Sequence, residues 1–328
     1  MNKKYYTKYF TILGIIVFLF IIPLLSSDPY HLQVLMVLLL NIILAISLWI
    51  IMTVGQLSLA HAAFMAVGAY TSALLVMKLG LTFWLAMPVS GIMAAVLALV
   101  IGSITLRLKG AYFLLVTFAF GEILILIFSN FWEALFGGVS GIIGVPHPDP
   151  ISIPFIPKIH FVSKVPLYYL ALSLTLITVL IFYRLKNSRL GLTFGALKEA
   201  DLLAECIGID IMKYKVMAFT AGCFFAGIAG SLYAHSFVVV TPIDFSFYHS
   251  VYILIYVVVG GESSFLGPIL GASALTLLSE ILRKFGHYES IGYGIALILV
   301  MLFLPSGIIS LFERIIFKVQ KLFKRING

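Results

Sequence analysis

Glu122 is the residue in this chain best placed to do chemistry, because its carboxylate stands eleven residues into an apolar run that begins at Ala111. A carboxylate at that depth is costly in hydrocarbon, so it must face a bundle interior or a wet cavity. There it either contacts a substrate or hydrogen-bonds a neighbouring helix for packing. Two other stretches break up apolar runs: Gly55, Gln56, Ser58 and His61 in VGQLSLAH, and Gly260 and Gly261 at the head of GGESSFLGP. Non-helical backbone at membrane depth is tolerated only where protein or water meets its N–H and C=O groups. Residues 55–61 and 260–267 are therefore candidates for a pathway or gate, and equally for plain turns between antiparallel spans. Asn41 and His61 share the ambiguity of Glu122.

A third polar group lies deep in the chain. Wound as a helix, residues 196–208 set Ala196, Ala200, Leu203, Ala204 and Ile207 on one arc and gather Lys198, Asp201 and Glu205 opposite, with Glu199 beside them and Gly208 able to stop the helix. A helix lying among anionic headgroups would carry Lys and Arg on its polar face, so two carboxylates and one amine suit a protein partner better.

Enzyme chemistry finds little support. No G-x-S-x-G elbow and no G-x-x-x-x-G-K-[ST] phosphate loop occurs, and the carboxylates are scattered. The two cysteines, Cys206 and Cys223, have no His or Cys neighbour at metal-ligand spacing. No catalytic, cofactor-binding or metal-ligating residue is assigned, and the chain has no means to hydrolyse ATP by itself.

The elements that must position these groups are membrane spans. With 62% hydrophobic and 10% charged residues and a mean hydropathy of +1.14, the 328-residue chain is too apolar for a water-soluble core. The net charge of +8 comes from dispersed Lys and Arg, which argues against nucleic acid. Apolar runs cover 10–25, 33–52, 64–77, 83–105, 111–128, 167–183, 216–237, 248–260, 269–282 and 291–304, about ten spans for a core of roughly 30 Å, with the eighth and ninth short or broken. The first run, preceded by Lys3, Lys4 and Lys8, reads as a retained span. Residues 131–166 hold six prolines and GGVSGIIGVP and form a loop on one side, while 188–215 form a charged loop on the other. With both termini on the side of the charged loop, sixteen of the 21 Lys and Arg lie there, which makes that side cytoplasmic. GAYTSALL and GASALTLL, each after a Gly/Ser-rich break, hint at an internal repeat. The expected fold is all-α, a single transmembrane permease domain over 1–328.

Several motifs in order then resemble the LivM-like permease subunits of branched-chain amino acid importers of the ATP-binding-cassette type. They are GQLSLAHAAFMAVGAY, RLKGAYFLLVTFAFGEI, GGVSGIIGVP, the long segment SRLGLTFGALKEADLLAECIGIDIMKYKVMAFTAGCFFAGIAGSLYA, VVVGGESSFLGPILGA and LPSGI. Lys198 in LKEAD, SLAH, and GGESSFLGP depart from the more usual Arg, SLGH and GG-x-G-T patterns. The resemblance implies that Lys198, Glu199, Asp201, Glu205 and Gly208 belong to a coupling segment that docks on a cytoplasmic ATPase. It also implies a second homologous, LivH-like permease, two ATP-binding-cassette ATPases that use the ATP, an extracytoplasmic substrate-binding protein, and a place in the bacterial inner membrane among lipid. Urea or short-amide permeases are similar in sequence, so the cargo stays open. A stand-alone secondary transporter or channel would call for more intramembrane carboxylates than Glu122, and a polytopic membrane enzyme for clustered acid/base or metal ligands.

Overall fold

The computed structural model describes residues 14, 19–23, 28–151, 158–304 and 307–310. Among them ten helices of 14 residues or more follow in chain order: α1 Pro29–Met52, α2 His61–Leu79, α3 Phe83–Thr105, α4 Ala111–Asn130, α5 Lys164–Lys186, α6 Arg189–Cys206, α7 Ile211–Phe237, α8 Phe247–Gly260, α9 Leu266–Leu282 and α10 Glu289–Phe303. Among the described residues eight candidate spans are long and apolar enough to cross a membrane, and the protein is an all-α, multi-pass membrane protein. The run at 10–25 lies largely outside the described residues, as does the basic tail after 310.

Helix ends follow local chemistry. Asp28 caps α1 by accepting from Tyr30 N at 3.0 Å, with Pro29 in the first turn, and Asp210 caps α7 by accepting from Lys213 N at 3.1 Å. The eighth and ninth spans are less short than their apolar runs imply. A 3-10 turn at Pro242–Phe245 precedes α8, and another at Arg283–Tyr288 follows α9.

The core is built where α7 crosses α2 and α3. A methyl at Gly68 would lie 2.1 Å from Gly227 O, so the two backbones touch where any larger residue would force them apart. Phe64, Phe113 and Phe219 fill the space below this contact, with Phe64 and Phe219 edge to face at 5.5 Å.

The proline-rich loop forms a cap over the end of the bundle away from α6. Strand β1 (Ile142–Ile143) pairs antiparallel with β2 (Val239–Val240), and Asp149 Oδ2 accepts from Phe83 N at 2.7 Å at the head of α3. A buried relay ties the cap to α7. Ser231 Oγ donates to Ser72 Oγ at 2.7 Å, Ser72 Oγ meets His235 Nε2 at 2.9 Å, and His235 Nδ1 meets Pro146 O at 2.6 Å. A carbonyl only accepts, so Nδ1 carries the proton and Nε2 accepts from Ser72.

Candidate functional site: the α6 lever and the two breaks

The two breaks differ in kind. Between α1 and α2 the chain folds back into the bundle: Leu59 N donates to Thr117 Oγ1 at 3.1 Å and Ala62 N donates to Ser250 Oγ at 3.1 Å. Thr117 is about 9 Å along α4 at 1.5 Å per residue, so α2 begins inside the membrane-spanning bundle. One free N–H of its first turn, Ala62, is met by a hydroxyl of α8, and Leu59 N, just before the cap, by a hydroxyl of α4. Residues 58–61 are thus re-entrant backbone.

His61, first in α2, is fully buried and places Nε2 2.8 Å from Ser47 Oγ, which itself donates to Leu44 O at 3.0 Å. Ser47 therefore accepts, Nε2 carries the proton, and Nδ1 is left as an acceptor. Among the described residues Nδ1 of His61 and Oε1 of Gln56 are buried acceptors with no partner. Glu122 lines a crevice with Leu59, Ala63, Phe118, Phe245 and Ser250, and the crevice has no space for a water-sized sphere. It is a narrow crevice between α2, α4 and the start of α8, with Glu122 on its wall. Its carboxylate forms no ion pair among the described residues.

Between α8 and α9 the break is a tight hairpin. Gly261 has φ of +108°, and a methyl at Gly260 would lie 2.0 Å from Gly267 O. Backbone packs on backbone here, which only glycine allows.

Helix α6 joins these parts at the opposite end of the bundle from the cap. Lys198 Nζ lies 3.2 Å from Glu262 Oε1 in the α8–α9 turn, and Trp49 Nε1 at the end of α1 donates to Glu262 O at 2.8 Å. Gly55, at φ of +75°, sits against the Lys198 backbone. Phe265 packs edge to face on Trp49 at 5.5 Å, and Lys186 stands over the Trp49 ring at 5.7 Å. Asp201 Oδ2 lies 2.7 Å from Lys109 Nζ and 3.8 Å from Lys215 Nζ, which bridges α6 to the α3–α4 turn and to α7. The Lys109 hydrogen bond holds the Asp201 carboxyl below the usual carboxylate range, with the charges of Lys109 and Lys215 adding to it against partial burial.

The expected face of 196–208 is corrected. The helix runs from Arg189 to Cys206, and Ala200 (φ −159°, ψ 87°) breaks its φ/ψ regularity. The kink resets the helical phase, so no single polar face continues through it. Lys198 and Asp201 are drawn into ion pairs at the surface of the bundle, while Phe194, Leu197 and Ala204 are buried. Helix α6 and the turn that follows it show to solvent Leu192 (76% exposed), Leu202, Leu203 (68% exposed) and Ile207 (76% exposed), with Glu199, Glu205 and Gly208 beside the last three. Among the described residues no group of three or more His, Cys, Asp or Glu could hold a metal ion.

Comparison with known proteins agrees with this architecture. The chain is 34% identical over 274 residues to the high-affinity branched-chain amino acid transport system permease protein LivM of Escherichia coli (strain K12), covering 78% of this chain and 64% of the relative. The protein of the same name from Salmonella typhimurium is 33% identical over the same length and shares. A probable branched-chain amino acid transport permease protein LivM of Methanocaldococcus jannaschii is 24% identical over 244 residues, 66% of each chain. The match thus spans about 64% of the length of the bacterial relatives. No solved structure matches the chain. Residues 30–304, from the start of α1 through α10, match the family described as branched-chain amino acid transport system / permease component, and the chain belongs to that family.

Proposed function

We propose that this protein is a permease subunit of an ATP-driven importer for branched-chain amino acids. The observation that carries the reading is the Lys198–Glu262 contact, which joins the solvent-facing helix α6 to the α8–α9 hairpin and, through Trp49 and Gly55, to the entry of the re-entrant break. Family membership and the likeness to the LivM proteins support it. The side bearing α6 is cytoplasmic, in keeping with its share of Lys and Arg, and both termini lie there in the bacterial inner membrane.

In this reading Leu202 and Leu203 of α6 and Ile207 at its C-cap, flanked by Glu199, Glu205 and Gly208, seat against one of two partner ATPases. Closure of the ATPase pair moves α6. Its ion pairs then carry the motion to the α8–α9 hairpin, the α3–α4 turn and α7, a rigid-body switch between two openings. The narrow crevice lined by Glu122 and by Leu59, which belongs to the break carrying Gln56, Ser58 and His61, is the constriction that opens, and the glycine hairpin at Gly260 and Gly261 is the hinge. The chain binds no cofactor of its own and catalyses no reaction; ATP is used by the partners. A second homologous permease completes the path, and an extracytoplasmic binding protein delivers cargo.

The test is affinity purification from the native membrane followed by reconstitution. Recovery of two ATPases and a second permease, with ATP-driven uptake of leucine, isoleucine or valine, is the expected result. Uptake of urea instead would move the cargo to short amides, and recovery of the chain alone with ion-driven transport would overturn the reading.

A further inference from the structure

At the end of the bundle away from α6, a cavity of about 330 Å³ lies between α1, α8 and α9. Its size is at the lower end of small-molecule sites, roughly 300–1,000 Å³. One wall is a single face of α1, where Tyr30, Gln33, Val37 and Asn41 recur at helical spacing, and the facing wall is α9 with Thr276 and Glu280, continued by Arg283 at its C-cap.

The cavity is polar at both ends. At its inner end Asn41 Nδ2 donates to Thr276 Oγ1 at 3.0 Å and approaches Tyr256 OH at 3.5 Å. At its mouth Arg283 and Glu280 pair at 3.3 Å, Tyr30 OH donates to Glu280, Arg283 donates to Tyr30 OH, and the guanidinium stands over the Tyr30 ring. Tyr30 and Asn41 are about 16 Å apart along α1 at 1.5 Å per residue, so polar lining continues well into an apolar helix. The Gln33 amide, in the second turn of that helix, makes no hydrogen bond with the described residues. Unpartnered polar groups on a membrane helix mark a water-filled or ligand-filled space.

We propose that this cavity binds a small zwitterion of the α-amino-acid class, entering from the side opposite α6, with its ammonium on Glu280 and its carboxylate on Arg283. One fixed anion beside one fixed cation matches opposite charges carried on a single carbon. A simple anion would face Glu280, a simple cation would face Arg283, and a neutral amide would separate the existing pair without replacing either charge. Val34 and Val37 offer the apolar wall an aliphatic side chain needs, and the amides of Gln33 and Asn41 supply further hydrogen bonds. A zwitterionic phospholipid headgroup has the same two charges, but the polar inner end at Asn41, Tyr256 and Thr276 gives acyl chains no home. This site would be a way station on the import path, and the inference rests on the amino-acid permease reading above.

The test uses the full chain in lipid nanodiscs made of phosphatidylglycerol alone or mixed with phosphatidylethanolamine. Gln33→Cys in a Cys206→Ser background is labelled with a charged, membrane-impermeant thiol reagent, Cys223 being buried. The expected result is labelling in both lipids, slowed about tenfold by L-leucine at ten times its dissociation constant. Leucine lacking its amine (4-methylpentanoate) or its carboxylate (3-methylbutylamine) leaves the rate unchanged, and Glu280→Gln or Arg283→Gln removes the protection. No labelling, labelling indifferent to leucine, equal protection by all three compounds, or protection that follows phosphatidylethanolamine and not leucine each overturns the site. ATP-driven leucine uptake by the wild-type assembly is measured alongside. If that uptake is present while the site fails, the permease reading stands and this inference falls; if that uptake is absent, the permease reading itself falls.

Discussion

Lys198 of α6 and Glu262 of the α8–α9 turn meet at 3.2 Å, and Trp49 of α1 binds the backbone of the same Glu262. One residue in a hairpin turn therefore holds both the solvent-facing helix and the helix that leads into the re-entrant break. Both charged side chains are partly solvent-exposed, so the ion pair itself contributes only about 0–1 kcal/mol to stability. In the proposed importer its importance is mechanical. Lys198→Glu is expected to lower ATP-driven uptake about tenfold or more with little change in thermal stability. The exchange Lys198→Glu with Glu262→Lys restores most of it, whereas failure of the exchange to rescue would remove the pair from the coupling path.

Asp201 gives a pH prediction with a definite sign. Lys109 holds its carboxyl below the usual range in the folded protein. The stabilisation is therefore fully present above the unfolded Asp value of about 3.9 and is lost as pH falls through the lowered folded value. Hydrogen exchange in α6, once corrected for intrinsic rates, is expected to be the same at pH 7.5 and 5.5, both more than about 1.5 units above that reference. Asp201→Asn raises exchange at both pH values. A wild-type α6 that loosens between them would contradict the Lys109–Asp201 attachment.

Much of the chain was legible because hydrocarbon imposes long apolar runs, and α3, with bounds at Phe83 and Thr105, matches its run at both ends. Gln56, Ser58 and His61 stood out because polar residues are rare between such runs. The inward course of that break was not legible, since it depends on hydroxyls of Thr117 and Ser250 from distant helices. The face of α6 was misread because periodicity presumes a continuous helix, and nothing in LKEADLL announces a break at Ala200. Its partners Lys109 and Glu262 come from turns far along the chain. Of the cavity residues Asn41 alone stood out in the sequence; Gln33, on the same face of α1, was a usable signal that went unread.

At the α2–α7 crossing, Gly68→Leu drives a side chain into Gly227 O, which a bare Cβ would already approach to 2.1 Å. The expected loss is about 3 kcal/mol or more, as for severe overpacking, seen as loss of monodisperse protein in detergent. Gly195→Ala is the control. It lies in α6 with nothing within 4 Å of the added methyl, and it is expected to be neutral or to stabilise by about 0.5–1 kcal/mol.

The cap predicts a proteolysis result. His235→Ala removes the donor to Pro146 O and leaves the buried Ser72 hydroxyl, which still accepts from Ser231, without an acceptor for its proton, at a cost of about 1–3 kcal/mol for the latter. Cleavage within 131–166 by an added protease should quicken in this variant while the bundle stays intact. Unchanged cleavage would show that β1–β2 pairing and Asp149 hold the cap without the relay.

Glu122→Gln tests the constriction. The carboxylate lines the crevice without an ion pair among the described residues, so its loss leaves packing unchanged. Uptake should fall about tenfold or more while melting temperature moves little, and Glu122→Asp should keep part of the activity. A matched fall in stability would make Glu122 a packing residue.

The measurement that bears most directly on the account is leucine uptake into proteoliposomes carrying the purified assembly, with and without ATP, for the wild type and Leu203→Asp. Leu203 is exposed on α6 and touches neither ion pair, so the variant should insert and fold normally. Uptake that requires ATP, and that falls to background in Leu203→Asp while the chain remains in the membrane, is the predicted result. Uptake that ignores ATP, follows an ion gradient and is untouched by Leu203→Asp would contradict the role given to α6.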